Sequence, residues 1–267
     1  MKSLKSPDTT RPAASPVPLP FNPAKLRGIS EKLIVSHHDH NYSGAVKNLN
    51  AVRAELAALP ADTPAYRIGG LRAHELTYGN SVTLHEHYFA NLGGNGKADG
   101  AVVQAIAAAW GGFAQWESGF RAAAGSLGGG SGWVVLDLHL PTGELRVGSA
   151  ADHAQAVAAG LPLLVLDMYE HAYQMDYGAA ADHYIAAFFD NVNWDEVNHR
   201  YERARNTLAA YAGSTRVNGS AFVSVSPAPA CGDDAPAAGS RVPVMAGAAD
   251  PASAHGKNGS PAKNPAA

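Results

Sequence analysis

The chain has 267 residues and a formal net charge of −3 with its histidines neutral, so it offers no broad basic surface for nucleic acid or an anionic membrane. Its single cysteine, Cys231, excludes an internal disulfide framework and any cysteine-rich metal site, and is read as an idle thiol. No apolar run approaches the ~20 residues of a membrane span, and Met1-Lys2-Ser3-Leu4-Lys5-Ser6-Pro7 has positive charge without the apolar core of an export signal, so a soluble cytoplasmic protein is expected.

Residues 1–17 are rich in Pro, Ser and Thr and predict a flexible arm. From Leu19-Pro20-Phe21-Asn22-Pro23 the chain enters a folded region. Ser30 reads as an N-cap, and Val46, Leu49, Val52, Leu56 and Leu59 recur at threes and fours, which predicts a helix from 30 to about 59. Pro60 and Pro64 end it. A second helix from Leu71 to about Leu92 closes at Gly93-Gly94. The two form an antiparallel helical hairpin over residues 18–95. Shorter helices follow at 101–110 and 113–124. Trp133–Leu140, the Pro141-Thr142-Gly143 turn and Glu144–Val147 give a β-hairpin signal. The apolar run Leu161–Leu166 reads as a third, buried strand ending at Asp167, and helices return at 179–190 and 194–211. The fold class is therefore α+β, with the helical hairpin followed by a mixed α/β domain, residues 96–213, that holds a small antiparallel three-stranded sheet. Residues 214–267 are dominated by Ala, Gly, Pro, Ser and Asn and predict a low-complexity, disordered tail, with one short strand at 221–225.

Twelve histidines are the compositional peculiarity. On an α-helix Leu33, His37, Asn41 and Ala45 share one face, while His38 and His40 point elsewhere and Tyr42 lies off that face. In the second helix His85 shares the inward face with Tyr78, Ser81, Tyr88 and Leu92, whereas His87 faces solvent. Asp167 sits at the end of a buried strand, where a charge is costly unless something pairs with it, and His171 follows four residues later. These two form either a hydrogen-bonded pair that orients a loop or two donors to one cation. With His37 and His85 they complete a set of three imidazoles and a carboxylate from separate elements, which suits zinc, iron or manganese. The spacing excludes an H-E-x-x-H hydrolase. A site of two histidines and one carboxylate remains open but leaves one histidine unused.

Asp167-Met168-Tyr169-Glu170-His171-Ala172-Tyr173 resembles the D-x-W-E-H-A-[YF] signature of the iron/manganese superoxide dismutase family. Leu19-Pro20-Phe21, Asn48-Leu49-Asn50, Gly130-Ser131-Gly132-Trp133, Val192-Asn193-Trp194 and Tyr201 extend the likeness over about Pro18 to Tyr211. The resemblance implies one iron or manganese ion per chain, held by His37, His85, Asp167 and His171 between the hairpin and the α/β domain. It implies superoxide as substrate, converted to dioxygen and hydrogen peroxide. Trp133 would line the pocket, His153 would tune a metal-bound solvent, and Tyr169 stands where the family usually has tryptophan. Glu170 would reach across an interface to the metal-ligand histidine of a second copy, so a homodimer or a dimer of dimers is expected.

This sequence departs from the family's pattern in a group. Ala45 stands where a gateway tyrosine is usual, Asn41 where a histidine is usual, and Gln174 where a tyrosine usually bonds that histidine across the interface. The alternative expectation is accordingly a non-catalytic, superoxide-dismutase-like metal-binding protein.

Overall fold

The computed structural model describes residues 13–155 and 158–215. Residues 1–12 of the expected arm, the tail from 216 onward, the strand expected at 221–225 and Cys231 lie outside the described residues.

Ser30 caps the first helix, its hydroxyl accepting from Leu33 N at 3.1 Å. The chain then runs through α1 (Glu31–Ser36), a π-helical turn (His37–Tyr42) and α2 (Ser43–Ala57), where one unbroken α-helix was expected. A π turn closes its hydrogen bonds over five residues instead of four, so spacing by four fails across it. Tyr42 swings inward as a result. It is 1 % exposed and its ring lies 6.1 Å from that of His85, which corrects the expectation that it points away. Its hydroxyl donates to Glu86 Oε1 at 2.8 Å and accepts from Val17 N at 2.9 Å. Asn50 holds Ala14 through its side-chain amide, so the segment from Ala14 to Val17 is tied down along the first helices.

The second long helix, α3 (Ala65–Ala90), starts directly after Pro64 and includes Gly69-Gly70. Ion pairs to α2, Arg67–Glu55 at 2.7 Å and Arg53–Glu75 at 3.4 Å, accompany this weak-propensity stretch. Beyond α3, Gly94 is pressed against the chain that leads into the last helix. A Cβ there would meet Val192 O at 2.2 Å, so only glycine fits. Helices α4 (Ala101–Trp110) and α5 (Phe113–Gly125) are separated by Gly111 in a left-handed conformation, φ 75°.

The sheet is antiparallel, in the order β2 (Leu145–Ala150), β1 (Trp133–His139), β3 (Gly160–Asp167). In β3, Leu163 to Leu166 are all fully buried, which accounts for an apolar run without alternation. Pro162 is tolerated because β3 is an edge strand. The register places Trp133 directly opposite Asp167, so the two side chains leave the same face of the sheet. A 3-10 turn (Glu170–Ala172), α6 (Gln174–Tyr177), α7 (Ala181–Asp190) and α8 (Trp194–Thr215) complete the chain. No helix among the described residues is long and apolar enough to cross a membrane.

One polar clasp fixes α3 to β3 and α8. Arg200, 5 % exposed, donates to His87 O, Asn91 Oδ1 and Leu163 O at 3.2, 3.2 and 3.3 Å. Asn91 Oδ1 also accepts from Val165 N at 2.9 Å. His87 and Asn91 lie at the C-terminal end of α3 and Leu163 on β3, so the guanidinium joins the two and faces the negative end of the helix dipole. Replacing Arg200 with Met is expected to destabilise the full chain by ~2–4 kcal/mol, because buried acceptors lose a charged donor. Chemical denaturation followed by circular dichroism measures this, and a change below ~0.5 kcal/mol would contradict the clasp.

Candidate metal centre

Three elements deliver four donors to one place. The π turn supplies His37, α3 supplies His85, and the end of β3 with the following turn supplies Asp167 and His171. Asp167 Oδ2 lies 3.2 Å from His37 Nε2, 3.3 Å from His171 Nε2 and 3.6 Å from His85 Nε2. All four donor atoms fall within 4.8 Å of one another. His37, His85 and Asp167 are buried at 0, 1 and 0 % exposure.

The hydrogen-bond pattern shows which lone pairs are free. His85 Nδ1 faces Ser81 O at 2.7 Å. A carbonyl only accepts, so Nδ1 carries the proton and Nε2 is left as a lone pair aimed at the cluster. His37 Nε2 and His85 Nε2 are buried with no hydrogen-bond partner, a condition that calls for a specific explanation. Asp167 Oδ1 accepts from Tyr169 N at 2.8 Å, and its backbone oxygen accepts from Tyr184 Oη at 2.8 Å, so the residue is held at both its side chain and its main chain. Donor atoms ~2.1 Å from a common ion and 90–120° apart are ~3.0–3.6 Å from one another. The three separations measured from Asp167 Oδ2 fall in that range.

Electrostatics prepares the same set. Burial pushes the His37 imidazole below its usual pKa, and burial together with His37 lowers His85 to about 3. Burial alone would raise Asp167, but the adjacent His171 and His37 outweigh it and hold the carboxyl below the usual range. Near neutral pH His37 and His85 are therefore neutral imidazoles and Asp167 a carboxylate, the forms a metal needs.

Around the cluster, Trp133 Nε1 donates to His153 Nδ1 at 2.9 Å, which leaves Nε2 as the protonated nitrogen of a neutral His153. Asn80 holds the backbone oxygen of the same residue at 2.7 Å. The Tyr169 ring lies between two imidazoles, 4.5 Å from His153 and 5.3 Å from His171, with interplanar angles of 13° and 10°. Trp133 meets His85 edge-on at 5.0 Å. His171 is 25 % exposed at its side chain and is followed by an exposed Gln174 and preceded by an exposed Glu170. Ala45 is buried and Asn41 half-buried. Three supporting residues carry no sequence signal for these contacts: Ser81 reads only as an inward position, Asn80 stands in no motif, and Tyr184 has no local pattern connecting it with Asp167.

Residues 98–200 match the family model described as iron/manganese superoxide dismutases, C-terminal domain. The chain is 48 % identical over 188 residues to a superoxide dismutase [Fe] of Cupriavidus metallidurans, covering 70 % of this chain and 95 % of that protein. It is 35 % identical over 199 residues to a superoxide dismutase [Fe] of Aquifex aeolicus, covering 71 % and 92 %. A superoxide dismutase [Mn] 2 of Haloferax volcanii is also 35 % identical, over 193 residues, covering 70 % and 94 %. The chain belongs to the iron/manganese superoxide dismutase family. Its helical N-terminal region and its α/β region with a three-stranded antiparallel sheet are consistent with that family.

His85→Ala is expected to abolish metal retention while His87→Ala preserves it, since His87 Nδ1 is bonded to Thr83 O on its own helix. Metal analysis after gel filtration decides this, and equal losses would refute the assignment of faces. In metal-free protein, the unfolded chain takes up protons on these histidines below about pH 6.5 that the folded chain refuses, down to about 3 for His85. Stability therefore falls as pH drops through that window, with a slope approaching ~1.4 kcal/mol per pH unit for each histidine. Asp167 adds a loss of the same sign further into acid. Urea midpoints measured in chelator should be lower at pH 5 than at pH 7.5, and a higher midpoint at pH 5 would reverse the sign.

Proposed function

We propose that the protein is a superoxide dismutase with one iron or manganese ion per chain, held by His37, His85, Asp167 and His171. The observation that carries this reading is the convergence of three imidazole nitrogens on a single carboxylate oxygen, at 3.2–3.6 Å, in a buried pocket. When bound, the ion would supply the one-electron couple through which superoxide becomes dioxygen and hydrogen peroxide.

The chain's own residues do the rest of the work. Asp167 contributes one negative charge and three neutral imidazoles contribute none, so the donors offset the ion's charge only in part, and outer contacts adjust it further. Burial of His37, His85 and Asp167 keeps bulk water from the inner side of the site. His153 is lowered by burial and stays neutral, so its Nε2–H is the proton available to a solvent molecule at the site. Trp133 fixes that tautomer through Nδ1, and Tyr169 keeps the rings of His153 and His171 parallel.

His171 turns Nε2 toward Asp167 and exposes the other side of its ring. A metal-bound imidazole generally gives its second N–H to a carboxylate or carbonyl, and no described residue of the same chain is bonded there. Glu170 of a second copy is the acceptor this reading assigns, which makes the working form a homodimer or a dimer of dimers.

The second reading, a metal-binding relative without turnover, is favoured by Ala45, Asn41 and Gln174, which remove a phenol, an imidazole and a second phenol that the family's pattern provides. One measurement separates the two. Full-length protein reconstituted with iron or manganese is expected to hold about one ion per chain and to dismutate superoxide. Full metal content without turnover would select the second reading.

A further inference from the structure

A run of phenols leads from the His37–Asp167 cluster to the surface, and the proposed dismutation uses only one hydroxyl of it, that of Tyr184 on Asp167 O. Tyr88 is fully buried with its ring 5.3 Å from that of His37. Tyr184, also fully buried, places its hydroxyl 2.8 Å from Asp167 O and 3.1 Å from the Tyr88 hydroxyl. Its ring lies 5.4 Å from Tyr173 and 6.4 Å from Tyr177. Tyr173 and Tyr177 are four residues apart along one short helical stretch, and Tyr177 is the half-buried, outermost member, its hydroxyl bonded to Gly28 O. Phenylalanine would fill the same volume without burying a hydroxyl that must then find a partner.

We infer that Tyr184 and Tyr177 form a path that carries an oxidising equivalent from the metal centre to the surface, with Tyr177 as the residue modified. The inference rests on the proposed metal centre and on hydrogen peroxide, the product of the proposed reaction. Reducing hydrogen peroxide to two waters takes two electrons and two protons. When bound in its reduced state, the ion would supply one of these electrons. Tyr177 gives the other through Tyr184 and releases its phenolic proton to solvent, and solvent supplies the two protons consumed at the peroxide. A neutral Tyr177 radical remains, at a position away from the ligands. Aromatic rings at 5–7 Å provide the close spacing that such a transfer needs. Tyr169 and Trp133 also border the cluster, and damage there would strike residues that hold His153.

Full-length, iron-loaded protein is treated with excess hydrogen peroxide and examined by freeze-quench electron paramagnetic resonance and peptide mass spectrometry. The expected result is a tyrosyl signal and oxidation at Tyr177 in the native sequence. Tyr184→Phe should lower Tyr177 oxidation at least tenfold and move damage to the ligand histidines, Tyr169 and Trp133. Tyr177→Phe, a more superficial change, should also raise that inner damage. Equal Tyr177 oxidation in metal-free protein, unchanged oxidation in Tyr184→Phe, unaltered inner damage in Tyr177→Phe, or damage confined to Tyr169 and Trp133 would each overturn the path. Failure to retain iron would overturn the metal-centre reading and this one together, whereas iron retention without superoxide turnover leaves the peroxide result to decide the path alone.

Discussion

The structure depends on one carboxylate oxygen, Oδ2 of Asp167, enclosed by three imidazoles in a place without bulk water. Such a charge is expensive to bury, and its enclosure draws in long-range parts of the fold. The π turn has to deliver His37, α3 has to end where Arg200 and Asn91 hold it against β3, and β3 has to stop at Asp167. Tyr169 N and Tyr184 Oη then hold the two oxygens that do not face the imidazoles. The clasp and the cluster are thus parts of one arrangement, because Asn91 ties the strand carrying Asp167 to the helix carrying His85.

Much of this was legible in the residues. Apolar spacing marked the helical hairpin, and the unbroken run at 161–166 marked a strand buried throughout. Helix faces pointed to His37 and His85, and the strand end with its spacing of four pointed to Asp167 and His171. The failures have physical causes. Spacing by four assumes α-helical geometry, and the π turn breaks that assumption at the histidine-rich stretch, so Tyr42 was placed on the wrong side. The start of α3 was missed because Gly69-Gly70 has low helix propensity and its partners on α2 are distant in sequence. Tyr184 and Arg200 act through contacts with residues far along the chain, Tyr184 on the backbone oxygen of Asp167 and Arg200 on His87, Asn91 and Leu163. No local pattern reveals such a contact.

The departures at positions 41, 45 and 174 fall outside the donor set. All four cluster residues and the tryptophan–histidine contact are present.

The π turn also has a mechanical meaning. One additional residue in a helix rotates everything after it by ~100° relative to everything before. The stretch that places His37 and the stretch that packs along α3 are accordingly out of phase, and each can satisfy its own neighbours. The turn works as a phase shifter within a single rod, and it lets the hairpin be reshaped at its far end without dragging the donor histidine off its aim.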